Sequence, residues 1–293
     1  MSGLRITAGL GCIDDYEPFV QAGADELFAG YVPEEWTRRF GARTPMNRRE
    51  VLMYNTQLGS MSELMILSEM VRTYKVPVAL AFNFPVYTNA QREYLAGLAK
   101  TLAGLGFTEI IAADEKLIGM LTSSRVHVSG EYGEINRLNA ALLRRAGAKR
   151  IIFPRQTAIE EMRSVIAHVP DMEYEAFVLN ERCHFTGAYC ASLHRDELCH
   201  MCRVPYRLPG FPETEREPRE GFAAAGCGLC ALGMLEAAGI THIKLVSRGN
   251  DTKSTVRDIQ MLRRALDTRP EEIRRVFFGG GCPGECYYGT EFR

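Results

Sequence analysis

Residues 107–180 read FTEIIAADEKLIGMLTSSRVHVSGEYGEINRLNAALLRRAGAKRIIFPRQTAIEEMRSVIAHVPDMEYEAFVLN, and this stretch decides the fold. Short apolar runs at 107–114, 124–133, 148–155 and 172–180 alternate with helical segments: a short one after Asp114, then 135–146 and 157–168. A run of about four to eight apolar residues bounded by turn residues reads as a strand buried on both faces. Strands of that kind belong to parallel sheets, whose connections are helices packed on the sheet. Successive βα units therefore predict an α/β architecture.

The same alternation extends in both directions. Upstream, LRITAGL (4–10), ADELFAGY (24–31) and VPVALAFNF (76–84) read as strands. They are separated by a helix over 13–24, a polar loop through Arg43, a capping-box pattern at Asn47 and Glu50, and an amphipathic helix over 61–75. A helix over 89–105 leads back to the opening stretch. Downstream, a helix over 228–238 precedes the strand THIKLVSRG (241–249), and a last helix spans 254–267. The small-residue steps at 22–24, 146–148 and 238–239 read as helix C-caps turning into strands. Eight strands alternating with helices predict an irregular TIM-type (β/α)8 barrel, with an open doubly wound sheet as the alternative. The whole chain, 1–293, is expected to form one barrel domain. A cysteine-rich insertion (181–226) follows the seventh strand on the catalytic face, and 268–293 forms a tail containing Gly and Cys.

The 293 residues suit a single barrel of about 250 residues with insertions. A hydrophobic fraction of 46% and a charged fraction of 24% are those of a globular chain able to bury a large core. With 35 basic and 36 acidic residues the net charge is −1, which argues against binding nucleic acid or a charged membrane surface. The first residues lack the basic start and apolar core of a signal peptide, and no apolar run reaches the ~18 residues of a membrane span. The expected location is cytoplasmic, where clustered thiols stay reduced and are more often metal ligands than disulfides.

Catalytic groups of a parallel barrel lie at the C-terminal ends of its strands. The residues falling there are Asn83, Asp114, His127 with Ser129 and Glu131, Arg155, Glu175, and Lys244 with Arg248. Such a mixture of carboxylate, imidazole and guanidinium groups suits a small anionic substrate. Salt-bridged or loop-capping roles are equally expected for any single one.

Nine cysteines are present, and only Cys12 stands alone, as a core residue would. Cys183, Cys190, Cys199 and Cys202 fall within the insertion; Cys227 with Cys230 and Cys282 with Cys286 follow it. Four thiolates suit either zinc or an iron–sulfur cluster. CHMC (199–202) and CGLC (227–230) form a spaced pair of Cys-x2-Cys steps that fits a zinc ribbon, but that pairing leaves Cys183 and Cys190 unexplained. Cys227, Cys282 and Cys286 read equally as a second metal site, a redox pair or a plain loop.

The run EAFVLNERCHFTGAYCASL…CHMCRVPYR resembles the signature of peptidase family U32, the collagenase-like peptidases. AGLGCIDDYEPFVQAGADELFAGY, GARTPMNRREV, AFNFPVYTNAQ, IIAAD, VHVSGEYGEIN, IIFPRQ and CALGMLEAAGITHIKLVSRG resemble the family's successive barrel units. The resemblance implies a barrel and, as in several members, a 4Fe-4S cluster serving oxygen-independent hydroxylation with prephenate as the oxygen donor. It implies cluster ligands Cys183, Cys190, one of Cys199 and Cys202 (Cys202 favoured) and Cys230. It further implies a pocket lined by Arg43, Asn83, Asp114, Arg155 and Glu175, and a homologous partner subunit.

Three functions follow as expectations. The first is an iron–sulfur enzyme hydroxylating, or transferring a related group to, a small or aromatic acceptor. In it, Arg43, Arg155 and Arg248 bind the carboxylates of an oxygen-donor acid, and Asp114 or Glu175 moves protons. The second is a peptidase, for which neither Gly-x-Ser-x-Gly nor His-Glu-x-x-His is present. The third is a zinc-stabilised barrel serving as a subunit or scaffold.

Overall fold

The computed structural model describes residues 2–41, 45–48, 56–181, 225–281 and 285–289. Arg43, Cys183, Cys190, Cys199, Cys202 and Cys282 lie outside the described residues. In chain order the strands are β1 (Arg5–Leu10), β2 (Glu26–Ala29), β3 (Val78–Phe82), β4 (Glu109–Ala112), β5 (Arg125–Val128), β6 (Ala148–Ile152), β7 (Glu173–Glu181), β8 (Ala225–Cys227), β9 (His242–Leu245) and β10 (Glu285–Cys286). Strands β1 to β7 pair in sequence, all parallel. Strand β9 lies between β7 and β1, parallel to both, and so closes an eight-stranded barrel. The closed sheet excludes the open doubly wound alternative.

The helices are α1 (Tyr16–Ala22), α2 (Glu34–Phe40), α3 (Met61–Tyr74), α4 (Asn89–Gly104), α5 (Glu115–Met120), α6 (Arg137–Arg145), α7 (Ile159–His168), α8 (Leu232–Ala238), α9 (Thr252–Leu266) and α10 (Ile273–Phe278). Their starts are fixed by side chains that accept otherwise unpaired backbone N–H groups. Ser60, Thr88, Asn136 and Asp251 each cap a helix in this way. Helices α1 and α8 end at Gly23 and Gly239 with φ of 106° and 97°, the left-handed conformation that only glycine adopts without strain.

One segment departs from the sequence reading. The polar loop expected through Arg43 contains α2, because Trp36 and Phe40, one turn apart, give it an apolar stripe. Trp36 is fully buried against Phe40, Tyr87 and Tyr94, with ring centroids 4.8, 6.0 and 5.8 Å away.

The main core lies between sheet and helices and uses the outward-facing strand residues, such as Ile6, Leu27, Leu80, Ile110, Val126 and Ile151. The inward-facing residues alternate with these and form two layers. At the N-terminal end they are charged or polar: Glu26, Glu109, Arg150, Glu175 and Lys244, with the imidazoles of His127 and His242. Above them, towards the C-terminal ends, Phe28, Ala79, Ile111, Ile152, Phe177 and Val246 make a separate apolar layer. A barrel interior is normally packed with bulky branched residues throughout, so the charged layer is the unusual feature.

Candidate active site

Arg150 is the centre of the charged layer. Projecting from β6, it crosses the interior to β2, where Nη1 and Nη2 donate to the two Glu26 oxygens at 2.6 and 2.8 Å. Nη1 also donates to Glu175 Oε2 at 3.0 Å, and Nε donates to Glu173 Oε2 at 3.0 Å. Lys244 Nζ donates to the other Glu175 oxygen at 2.6 Å and stands 3.8 Å from the centre of the Phe28 ring. Burial alone would raise the Glu175 pKa, but Lys244 and Arg150 outweigh it and hold the carboxyl at about 2. The His242 pKa is also lowered, to about 4, by burial and by the Arg150 guanidinium 3.0 Å from Nε2, which keeps this ring neutral. Its Nδ1 lies 2.8 Å from Thr241 Oγ1, so the neutral ring donates at Nδ1 and accepts from Arg150 at Nε2.

Over the apolar layer, the mouth of the barrel carries a polar arc. Asn83, one residue past β3, accepts from the Arg48 backbone N–H at 3.1 Å and donates to Ser129 Oγ at 3.3 Å. Ser129 accepts from the Glu131 N–H, and Glu131 pairs with Arg48 Nε at 3.2 Å. Asn47 and Gln57 exchange two amide hydrogen bonds of 3.1 Å, and Arg248 Nη1 reaches Asn47 Oδ1 at 3.5 Å. Gly30 makes room for this contact, since a Cβ there would collide with Gln57 and Arg248. Across the mouth, the Arg155 guanidinium stacks 4.0 Å from the centre of the Phe177 ring. The basin at the mouth thus has an apolar floor and three guanidinium groups above it, that of Arg155 and the buried ones of Arg48 and Arg248.

The chain's last described segment returns to this basin. Strand β10 pairs parallel with β8, placing Cys286 beside Cys227 in register, both buried. Tyr287 packs into the apolar layer, and its hydroxyl donates to the Asn180 carbonyl at 3.3 Å. Tyr288 donates to the Phe177 carbonyl at 2.6 Å, and burial pushes its pKa strongly upward. Gly226 is required beneath them, because a Cβ there would lie 2.5 Å from the Tyr287 ring. Strand β8 itself runs antiparallel to the end of β7, with Glu181 opposite Ala225. Residues 182–224, with four of the cysteines, thus leave and re-enter the described structure at one place on the mouth. Cys230 stands there too, half-buried on the turn that follows β8.

The sequence-derived candidates fall into three groups. Asn83, Ser129, Glu131, Arg155 and Arg248 come together at the mouth. Glu175, His127 and Lys244 lie in the charged layer beneath the apolar floor. Asp114 turns towards the helices: it accepts from the Leu117 and Tyr87 N–H groups and from Arg92 Nε and Nη2 at 2.8–2.9 Å. These donors hold its pKa below the usual carboxylate range against the opposing effect of burial. The residues that sequence reasoning missed are Arg48, Asn47 and Gln57 on loops, and Glu26, Arg150 and His242 in the interior. The interior ones did leave a signal, since charged residues recur at the alternate positions 173 and 175 and at 242 and 244 of otherwise apolar runs.

Comparison with known proteins places this geometry. The family model "Peptidase family U32" matches residues 11–276. No curated protein matches the sequence. Among solved structures, the U32 peptidase Mk0906 superposes with a TM-score of 0.51 at 13% identity, over 84% of this chain and 94% of that one. A designed cube-shaped protein cage gives 0.50 at 10% identity, over 90% of this chain and 72% of that one. Thiamine phosphate pyrophosphorylase from Pyrococcus furiosus gives 0.48 at 9% identity, over 91% and 96%. At these identities the likeness is one of fold.

Proposed function

Because the chain belongs to peptidase family U32, we propose that it is an iron–sulfur enzyme that hydroxylates a small or aromatic acceptor without molecular oxygen, or transfers a related group to it. The ligands in this reading are Cys183, Cys190, Cys202 and Cys230, with Cys199 as the substitute for Cys202 and zinc as the alternative metal. One observation carries it. The two ends of the cysteine-bearing segment pair with each other at the barrel mouth, beside Cys230 and beside a rim of guanidinium groups. Cys230, half-buried at that place, fits the role of a thiolate ligand at the edge of a substrate basin.

When bound, the cluster supplies electrons and a Lewis-acidic iron at the mouth. The chain's own residues do the rest. Arg155 and Arg248 bind the carboxylates of an oxygen-donor acid, Arg155 held flat by Phe177 and Arg248 oriented by Asn47. Asn83 and Ser129, fixed by each other and by Arg48, offer an amide and a hydroxyl to the acceptor. The rings of Tyr287 and Tyr288 keep water off the basin floor. Asp114 and Glu175 act as positioning groups: Asp114 fixes the loop after β3, and Glu175 fixes Lys244 under Phe28.

The test is anion binding. With prephenate as probe, Arg155→Met and Arg248→Met are each expected to weaken binding by roughly 10- to 100-fold in anaerobic calorimetry, the loss of a charged hydrogen bond. Unchanged affinity in both variants would remove the basin from the proposal.

A further inference from the structure

We propose that the N-terminal end of the barrel interior binds a divalent transition-metal ion between Glu26 of β2, Glu109 of β4 and His127 of β5. This site is separate from the mouth and independent of the iron–sulfur reading. One donor atom from each of the three residues falls within 4.8 Å of the others.

Two observations point to a metal. The first is directional. His127 is completely buried, and its Nε2 lies 3.0 Å from Glu109 Oε2 while its Nδ1 lies 4.0 Å from Glu26 Oε1. The Nε2–Glu109 contact is an ion-pair approach that helps lower the Glu109 pKa against burial, yet neither ring nitrogen nor Glu109 Oε2 has a partner in good hydrogen-bond alignment. A buried imidazole forgoing hydrogen bonds is costly, so it needs another partner. Ligand atoms that share one ion stand about 3 Å apart, and Nε2 of His127 and Oε2 of Glu109 are 3.0 Å apart.

The second observation is charge. Four carboxylates, those of Glu26, Glu109, Glu173 and Glu175, face three cationic side chains, Arg125, Arg150 and Lys244. His242 is held neutral by Arg150. One negative charge is left over in the interior. Arg150 engages both Glu26 oxygens, and Oε1, the one nearer His127, would take the ion as a second partner.

One imidazole and two carboxylates suit manganese, iron(II) or zinc better than the all-oxygen preference of calcium or magnesium. Glu109 and Glu173 are 18% and 31% exposed on the N-terminal face and provide the route by which an ion arrives. Bound there, the ion ties β2, β4 and β5 together under the charged layer.

The experiment is a Mn²⁺ titration of the full chain, purified anaerobically and freed of loosely held metal, with unbound Mn²⁺ read by electron paramagnetic resonance. The expected result is about one Mn²⁺ per chain, with affinity at least ~10-fold weaker in both His127→Gln and Glu109→Gln. No binding in the unaltered protein, or equal binding in both variants, overturns the proposal. Should either variant misfold by circular dichroism, pulsed resonance on the Mn²⁺-loaded unaltered chain decides. Nitrogen coupling from a directly bound imidazole supports the site, and its absence, which an imidazolium or a thiolate-bound ion would produce, overturns it.

Discussion

Arg150→Met is expected to destabilise the barrel by about 3–5 kcal/mol, the largest effect of any single substitution in the interior. Arg150 is 1% exposed and bonds Glu26 through both terminal nitrogens, Glu175 and Glu173 through one each, and His242. Removing it strands carboxylates that have no water to turn to. For a domain whose net stability is about 5–15 kcal/mol, that is roughly a fifth of the total or more. Urea denaturation monitored by circular dichroism measures it. Pairing the change with Glu26→Gln should return part of the loss, because the partner's stranded charge is then gone. A loss under about 1 kcal/mol would show that the charged layer is not what holds the interior together.

The second large effect is a dependence on pH that comes from His242. Its folded pKa is about 4 against an ordinary 6.5, so the unfolded chain binds a proton in a range where the folded one does not. Stability from this group is therefore complete above pH 6.5 and is lost as pH falls towards 4. The difference of about 2.5 pH units corresponds to roughly 3 kcal/mol. The physical cause is first burial of the ring and then the Arg150 N–H, which a protonated Nε2 would face across 3.0 Å. His242→Gln should flatten the curve of unfolding free energy between pH 6.5 and 4. A second decline, from about pH 4.5 down to 2, should remain, because Glu173 and Glu175, both held at about 2 by their cationic neighbours, are protonated there. If His242→Gln leaves the upper slope unchanged, the neutral ring is not its source.

The barrel was legible because its strands are buried on both faces and its helices carry strong caps. VALAF (78–82) and AKRII (148–152) announce strands by composition. What the apolar runs hid was their inner face. Glu26, Arg150 and His242 start apolar runs beside Asp25, Lys149 and Thr241, where they read as polar strand ends, and only closure of the sheet brings β2, β6 and β9 round a common axis. For the same reason Glu175 resembled a rim residue while standing one pleat below Phe177 and the basin floor. The mouth was partly legible: Asn83, Arg155 and Arg248 end strands, where a barrel places its site. Arg48 and Tyr287 arrive on segments with no periodic pattern, and their place is set by tertiary contacts with Glu131 and with the apolar layer.

The functional account stands on the metal proposed at the mouth, and the metal content of the purified chain is the measurement to make. The chain should be purified without oxygen and analysed for iron, sulfide and zinc alongside its absorption spectrum. The account predicts a brown protein with about four iron and four sulfide per chain, lost in Cys183→Ala and in Cys230→Ala. A colourless, iron-free protein, with or without zinc, would contradict it.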